Sequence, residues 1–350
     1  MADGSAGAGG EARREPGTYW CRCWLRRWYR GAPRVTSSGV RAVPQVDNAN
    51  EIPSPPQLGG LGMTPRASRP IPASGRQRVR SALVVGLAEQ LTEREWQIME
   101  TVNRLRLVTG RQLERLHFTG LSGKSRSVVR WRVLKRLVGW QVLAPLPRRV
   151  GGGLRGSGQL AYALDTAGER LLHLRRNLRK DDERIRRPGQ PGERFVKHTL
   201  AVSELYVSLV ERSRLDGYRV DEFWAEPAAW WPNGVGGWMK PDAYVALVAL
   251  STADVTDHWW IEVDLATEAV PTLRGKFLAY TDFANRGQLG PSGVVPRVLV
   301  TVPTEYRHQT MSHVVAGLPA PADQLLSVAL HEAAVDAVTM ALFNPDTAHR

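Results

Sequence analysis

The stretch Lys240-Pro241-Asp242-Ala243-Tyr244-Val245-Ala246-Leu247-Val248, with Trp259-Trp260-Ile261-Glu262-Val263-Asp264 after it, decides how this chain is read. Both runs are short, apolar and rich in β-branched or aromatic residues, as buried strands are. Side chains alternate along a strand, so Glu262 and Asp264 point one way while Ile261 and Val263 point into the core. Asp242 opens the neighbouring run. If the two strands pair, Asp242 and Glu262 meet at one sheet edge. Two carboxylates brought together repel unless a proton or cation is shared. Hard oxygen ligands of this kind suit Mg²⁺ or Mn²⁺, bound through one or two carboxylates plus substrate phosphate. Such an ion can activate a water for phosphodiester cleavage.

Around this pair the pattern alternates between helix and strand. Phe195, His198, Val202, Leu205 and Leu209 mark an amphipathic helix of about four turns. A strand over 219–225 ends at Glu226-Pro227, and Pro232-Asn233-Gly234 reverses the chain. After Asp264 comes a helix with Leu273, Phe277 and Tyr280 on one face, then the strand 298–302 and a helix from about Thr304. The order αβββαβ predicts a mixed sheet covered by helices over 194–318. The stretch 319–350 has a helical pattern around 325–342, suited to packing on the sheet or to self-association as a homodimer.

Towards the amino terminus a second unit is predicted over 91–175. Thr92-Glu93-Arg94-Glu95 is a capping box, with Trp96, Met99, Val102 and Leu105 behind it at helical spacing. A short helix follows Thr109, and a third spans about 125–138 with Val129, Val133, Leu134 and Leu137 as core candidates. Strands at 141–144 and 160–164 flank a turn, 147–158, that holds five glycines and three arginines. Three helices, strand, turn, strand is the order of a winged helix-turn-helix, whose third helix enters the major groove. Lys124, Arg126, Arg130, Lys135 and Arg136 on that helix, with Arg148, Arg149 and Arg155 at the wing, form a candidate DNA-contacting surface. Winged helices also dock proteins. The charge distribution favours DNA: residues 91–200 carry 24 Lys+Arg against 10 acids, whereas residues 201–350 carry 10 against 18.

Composition excludes several classes. The net charge is +13 over 350 residues, and no apolar run approaches the length of a membrane helix. Cys21 and Cys23 cannot build a disulfide framework or a four-thiolate zinc site. Arg13-Arg14 has no apolar run behind it, so a cytoplasmic location is expected, without membrane partners. There is no phosphate-cradling Gly-Lys-Ser loop, Cys/His metal cluster or nucleophile elbow, which disfavours an ATPase, helicase or serine hydrolase. Residues 1–90, rich in Gly, Pro, Ala, Ser and Arg, are expected to be a basic disordered extension. Within it, the aromatic and arginine island at 19–30 could stack on bases or lie on a membrane surface, against the plainer reading of a non-functional extension. Residues 176–193, charge-dense and ending in Pro-Gly-Gln-Pro-Gly, read as a linker.

Pro241-Asp242 followed by Glu262-x-Asp264 on an αβββαβ plan resembles the PD-(D/E)xK nuclease superfamily. More narrowly, the run from Leu91 to about Val315 resembles the bacterial replication-relaxation family, through the winged-helix order, Lys197-His198-Thr199-Leu200-Ala201-Val202, Lys240-Pro241-Asp242-Ala243, Ile261-Glu262-Val263-Asp264, Thr267-Glu268 and the segment 276–280. That resemblance implies a DNA-binding accessory role in replication or relaxation of a plasmid or integrative element, with double-stranded DNA and other replication or conjugation proteins as partners. The nuclease pattern implies Asp242, Glu262, Asp264 and Lys276 as catalytic residues and Asp242 and Glu262 as ligands of Mg²⁺ or Mn²⁺. The chain departs from that pattern where Asp264 stands in the usual lysine position. Lys276 or Lys240 could supply the cation, or the site is inactive. His198 and Glu226 are candidate site-lining residues, alongside Lys240. Glu204 is either a solvated carboxylate or a ligand. Two further readings stand: a divalent-metal endonuclease that nicks DNA, and a winged-helix transcriptional regulator.

Overall fold

The computed structural model describes residues 81–146, 159–176, 191–250 and 255–343. The segment 1–80 with its aromatic island, the turn carrying Arg148, Arg149 and Arg155, and most of the 176–193 segment lie outside the described residues. The amino-terminal part comprises α1 (Ser81–Gln90), α2 (Glu93–Leu105), β1 (Val108–Thr109), α3 (Gly110–His117), α4 (Gly123–Gly139), β2 (Leu143–Pro145), β3 (Ala161–Leu164) and α5 (Thr166–Arg175). Capping boxes start α2 and α3: Thr92 with Glu95, and Thr109 with Gln112. The three strands form one small antiparallel sheet in the order β1-β3-β2.

One expectation is corrected here. Residues 81–90 are a helix rather than the end of a disordered extension, because Val84 and Leu87, three apart, bury one face of α1 where it packs against α5.

The second part comprises α6 (Glu193–Ser213), β4 (Tyr218–Ala225), β5 (Trp231–Pro232), β6 (Trp238–Met239), β7 (Ala243–Ala249), β8 (Thr256–Val263), α7 (Val270–Asn285), β9 (Arg297–Val302), α8 (Glu305–Ala316), α9 (Ala322–Leu325), β10 (Leu326–Leu330) and α10 (Ala334–Phe343). Five strands form a mixed sheet in the order β10-β9-β8-β7-β4. The β4-β7-β8 half is antiparallel, and β8-β9-β10 is parallel. Helices cover both faces: Val202 and Leu205 of α6 and Val338 of α10 join Val245, Leu247 and Ile261 on one. Phe277 of α7 and Met311 of α8 join Tyr244, Trp260 and Val300 on the other. All seven residues of β7 are therefore buried. The fold is mixed α and β.

The expected helix over 325–342 is corrected in its first half. Leu326–Leu330 is a strand paired in parallel with β9, from Leu326 opposite Val298 to Leu330 opposite Val302. The apolar run fits either period, and the open edge of β9 offers it a ladder of backbone partners.

Helix α6 binds the two parts together. Ser203 Oγ donates to Leu107 O at 2.7 Å, Arg104 Nη1 to Tyr206 Oη at 2.8 Å, and Gln112 Nε2 to Glu204 Oε2 at 2.9 Å. Arg115 pairs with both Glu204 and Glu211. A single hydrophobic cluster holds residues of α2, α3 and α4 together with residues of α6, β4, β7 and β8.

A pair of glycines tests the packing. A Cβ on Gly168 of α5 would lie 2.4 Å from the Val142 carbonyl oxygen, whereas one on Gly275 of α7 meets nothing within 4 Å. Gly168→Ala should lower unfolding stability by about 1–3 kcal/mol, and Gly275→Ala should raise it by about 0.5–1 kcal/mol. Thermal and urea unfolding measure both. Equal effects at the two positions would contradict the packing at α5.

Candidate functional site

The antiparallel register places Ala243 opposite Ile261, so Asp242 stands opposite Glu262. The backbone confirms the alignment, since the Asp242 N–H donates to Ile261 O at 2.9 Å. The two residues are thus neighbours in register across the inner strands β7 and β8, and not at an edge strand. Both are buried, Asp242 at 8% and Glu262 at 2% exposure.

Each carboxylate is held by groups from a helix. Asp242 Oδ2 accepts the Val263 N–H at 2.7 Å and faces His198 Nε2 at 3.1 Å. His198 comes from α6, one face of the sheet. Glu262 turns to the other face, where α7 supplies Tyr280 Oη at 2.5 Å and Lys276 Nζ at 3.3 Å. Lys276 and Tyr280 are four apart, hence neighbours on one side of a helix. Lys276 also reaches Glu268 Oε2 at 3.2 Å, and Glu268 pairs in turn with Arg194 of α6 at 3.6 Å.

Glu226, at the end of β4, joins from the remaining side. Arg106 Nη1 donates to its carbonyl at 3.3 Å and to its Oε1 at 3.4 Å. Arg106 caps α2 with φ +69° and lies 4.7 Å over the Phe195 ring. This guanidinium links the amino-terminal part to the carboxylate cluster.

Electrostatics follow from burial beside like charge. Burial, then the Asp242 charge, push the Glu262 carboxyl up to about 7, against the pull of Lys276 and Tyr280. Burial also raises Glu226, which Arg106 counters. Burial alone would lower His198. Its hydrogen bond to Asp242, with the charges of Asp242, Glu226 and Glu262, raises it above the ordinary value. Lys276, despite its burial, is raised by Glu262, Asp242 and Glu268.

Other candidates lie elsewhere. Asp264 is not part of the cluster: its Oδ2 pairs with Arg307 of α8 and its Oδ1 accepts the Ala266 N–H at 2.8 Å. Lys240 is exposed, with its ammonium 4.9 Å over the Trp230 ring. Glu204 is neither free nor a ligand here, since Gln112 and Arg115 hold it. On α4, Arg126 donates to Leu121 O at 2.8 Å, Arg130 pairs with Glu114 at 2.6 Å, and Arg136 Nε donates to Glu95 Oε1 at 3.0 Å. Lys124 and Lys135 are exposed.

The sequence reading took Tyr280 for a core residue and passed over Arg106. The Tyr280 signal was present, four residues after Lys276. Nothing local marks Arg106, whose partner is 120 residues away.

A divalent cation does not fit this arrangement. Both Glu262 oxygens and Asp242 Oδ2 are engaged, and the cation between Glu262 and Glu268 is Lys276. Among the described residues no three His, Cys, Asp or Glu side chains gather in a way that could hold a metal ion. Among them, too, no helix is long and apolar enough to cross a membrane.

The profile of the replication-relaxation family matches residues 99–298, more than half of the 350-residue chain. The chain belongs to the replication-relaxation family. The match begins inside α2 and ends inside β9, so it takes in both the amino-terminal helices and the carboxylate cluster of this replication-relaxation protein. No curated protein and no solved structure matches the chain.

The raised Glu262 gives a signed pH prediction. The folded state holds this proton above the ordinary carboxyl range, so its contribution is fully present below about 4.5 and is lost as pH rises towards 7. Glu262→Gln keeps a neutral side chain throughout. Its melting temperature should therefore gain on the wild type as pH climbs from 4.5 to 7. A difference that stays constant, or moves the other way, would show that Glu262 titrates normally.

Proposed function

We propose that this replication-relaxation protein is a DNA-binding accessory in the replication or relaxation of a plasmid or integrative mobile element. In this reading residues 91–175 are a winged helix-turn-helix, with α4 as the helix that enters the major groove and the 147–158 turn as its wing. Residues 176–193 link it to a PD-(D/E)xK-like unit over 194–318, followed by the 319–350 segment.

One observation carries the proposal. Helix α4 has 17 residues, with Lys124, Arg126, Arg130, Arg132, Lys135 and Arg136 and no acid. Its inward side is fixed by buried Leu134 and Leu137. Arg126 is held by backbone carbonyls, and Arg130 and Arg136 pair with carboxylates of the fold itself. Lys124, Arg132 and Lys135 are exposed, and they are the cations available for phosphates.

The buried carboxylates support an accessory role over cleavage. With Glu262 at 2% exposure, a phosphodiester does not reach it in this conformation. Fold likeness alone does not supply a reaction. The endonuclease reading keeps one favourable observation, Lys276 reaching Glu262 from the following helix in place of the lysine that Asp264 displaces. Nicking of supercoiled plasmid with and without Mn²⁺ separates the two. Strand breaks by the wild type that vanish in Asp242→Ala and Glu262→Ala would make it an enzyme.

Duplex binding itself is read from the salt dependence of affinity. Lys124→Ala/Arg132→Ala/Lys135→Ala should flatten the slope of log K against log salt by about three. Arg136→Ala should instead lower the melting temperature, because Glu95, fully buried, loses its cation. An unchanged slope in the triple variant would remove the helix from the DNA interface.

A further inference from the structure

The outward face of α4 is not purely cationic. Trp131 is 57% and Val128 is 44% exposed, three residues apart on one side of the helix. At 100° per residue, Lys124, Val128, Trp131, Arg132 and Lys135 share that side. Lys135 Nζ sits 4.7 Å over the Trp131 ring, which holds the indole upright beside the charge. The result is an apolar centre with cations at both ends. Lys124 and Lys135 are eleven residues apart, about 16 Å along the axis. That span exceeds the roughly 12 Å width of the major groove. Terminal cations so spaced can meet phosphates of both flanking strands while the centre faces base edges. Within that groove the apolar feature is the C5-methyl of thymine.

An apolar pair of this size facing water costs free energy, and among the described residues nothing covers it. Its rim rejects a cationic or lipid-core partner, and the absence of acids on α4 matches a polyanion. We propose that Val128 and Trp131 form an apolar base reader that contacts thymine methyl groups in the major groove, while Lys124, Arg132 and Lys135 grip the backbone. The inference rests on the duplex-binding reading above and names what that helix recognises.

The test uses the full chain and two pools of random-sequence duplex, one synthesised with thymine and one with uracil throughout. The pools differ only by the methyl group. A buried methyl is worth roughly a factor of four, so the wild type should bind the uracil pool about three- to fivefold more weakly, at an unchanged salt slope. Val128→Ala/Trp131→Ala should bind both pools alike, again with the wild-type slope. If that variant binds too weakly to compare, Val128→Ala alone carries the comparison. Equal wild-type affinity for the two pools would overturn the inference and leave duplex binding standing. So would a thymine preference that survives in the variant. Failure to bind either pool would instead sink the duplex-binding reading itself.

Discussion

Asp242 and Glu262 stand in register across the two inner strands of a sheet covered on both sides, and buried carboxylates so near repel unless charge or protons compensate. Much of the carboxy-terminal architecture answers that constraint. His198 brings α6 down on one face of the sheet, and Lys276 and Tyr280 bring α7 down on the other. The cluster is thus a point where three layers are fixed to one another by polar contacts inside an otherwise apolar core. A polar core of this kind specifies one arrangement of the layers, because any slip would leave a carboxylate buried without its donor.

The amino-terminal helices repeat the same logic at smaller scale. Glu95 is fully buried, and it serves two purposes: Oε2 accepts the Thr92 N–H of the capping box, and Oε1 accepts Arg136 of α4. Arg126 ties the turn before α4 through the Leu121 carbonyl, and Arg130 ties α4 to Glu114 of α3. Half of the cations on the most basic helix are therefore committed to the fold. A count of positive charge overstates the surface available to a polyanion, and the residues left over define it better.

Much of the architecture was legible before any coordinates. The capping boxes at Thr92 and Thr109, the β7 and β8 runs and the Asp242–Glu262 register follow from local pattern, because period and cap chemistry act over a few residues. The misses share a cause. Leu326–Leu330 carries an apolar run that suits either helix or strand, and only the free edge of β9 decides. The helix at Ser81–Gln90 is settled by its packing on α5, some 80 residues on. Arg106 and Glu204 found partners 120 and 92 residues away, at separations no spacing rule encodes.

Asp264 shows how a correct local reading can still mislead about chemistry. Alternation along the strand predicts Asp264 on the side of Glu262, but Asp264 lies just past the last residue of β8. Strand geometry sets only the direction of a side chain, however, and the neighbouring helix sets its partner. Beyond Val263 the chain leaves β8, and the Ala266 N–H and Arg307 close on the Asp264 carboxylate before it can turn to Glu262. The cation beside Glu262 comes from α7, as Lys276. Charge balance in the cluster is thus met by contacts between elements and not within the strand.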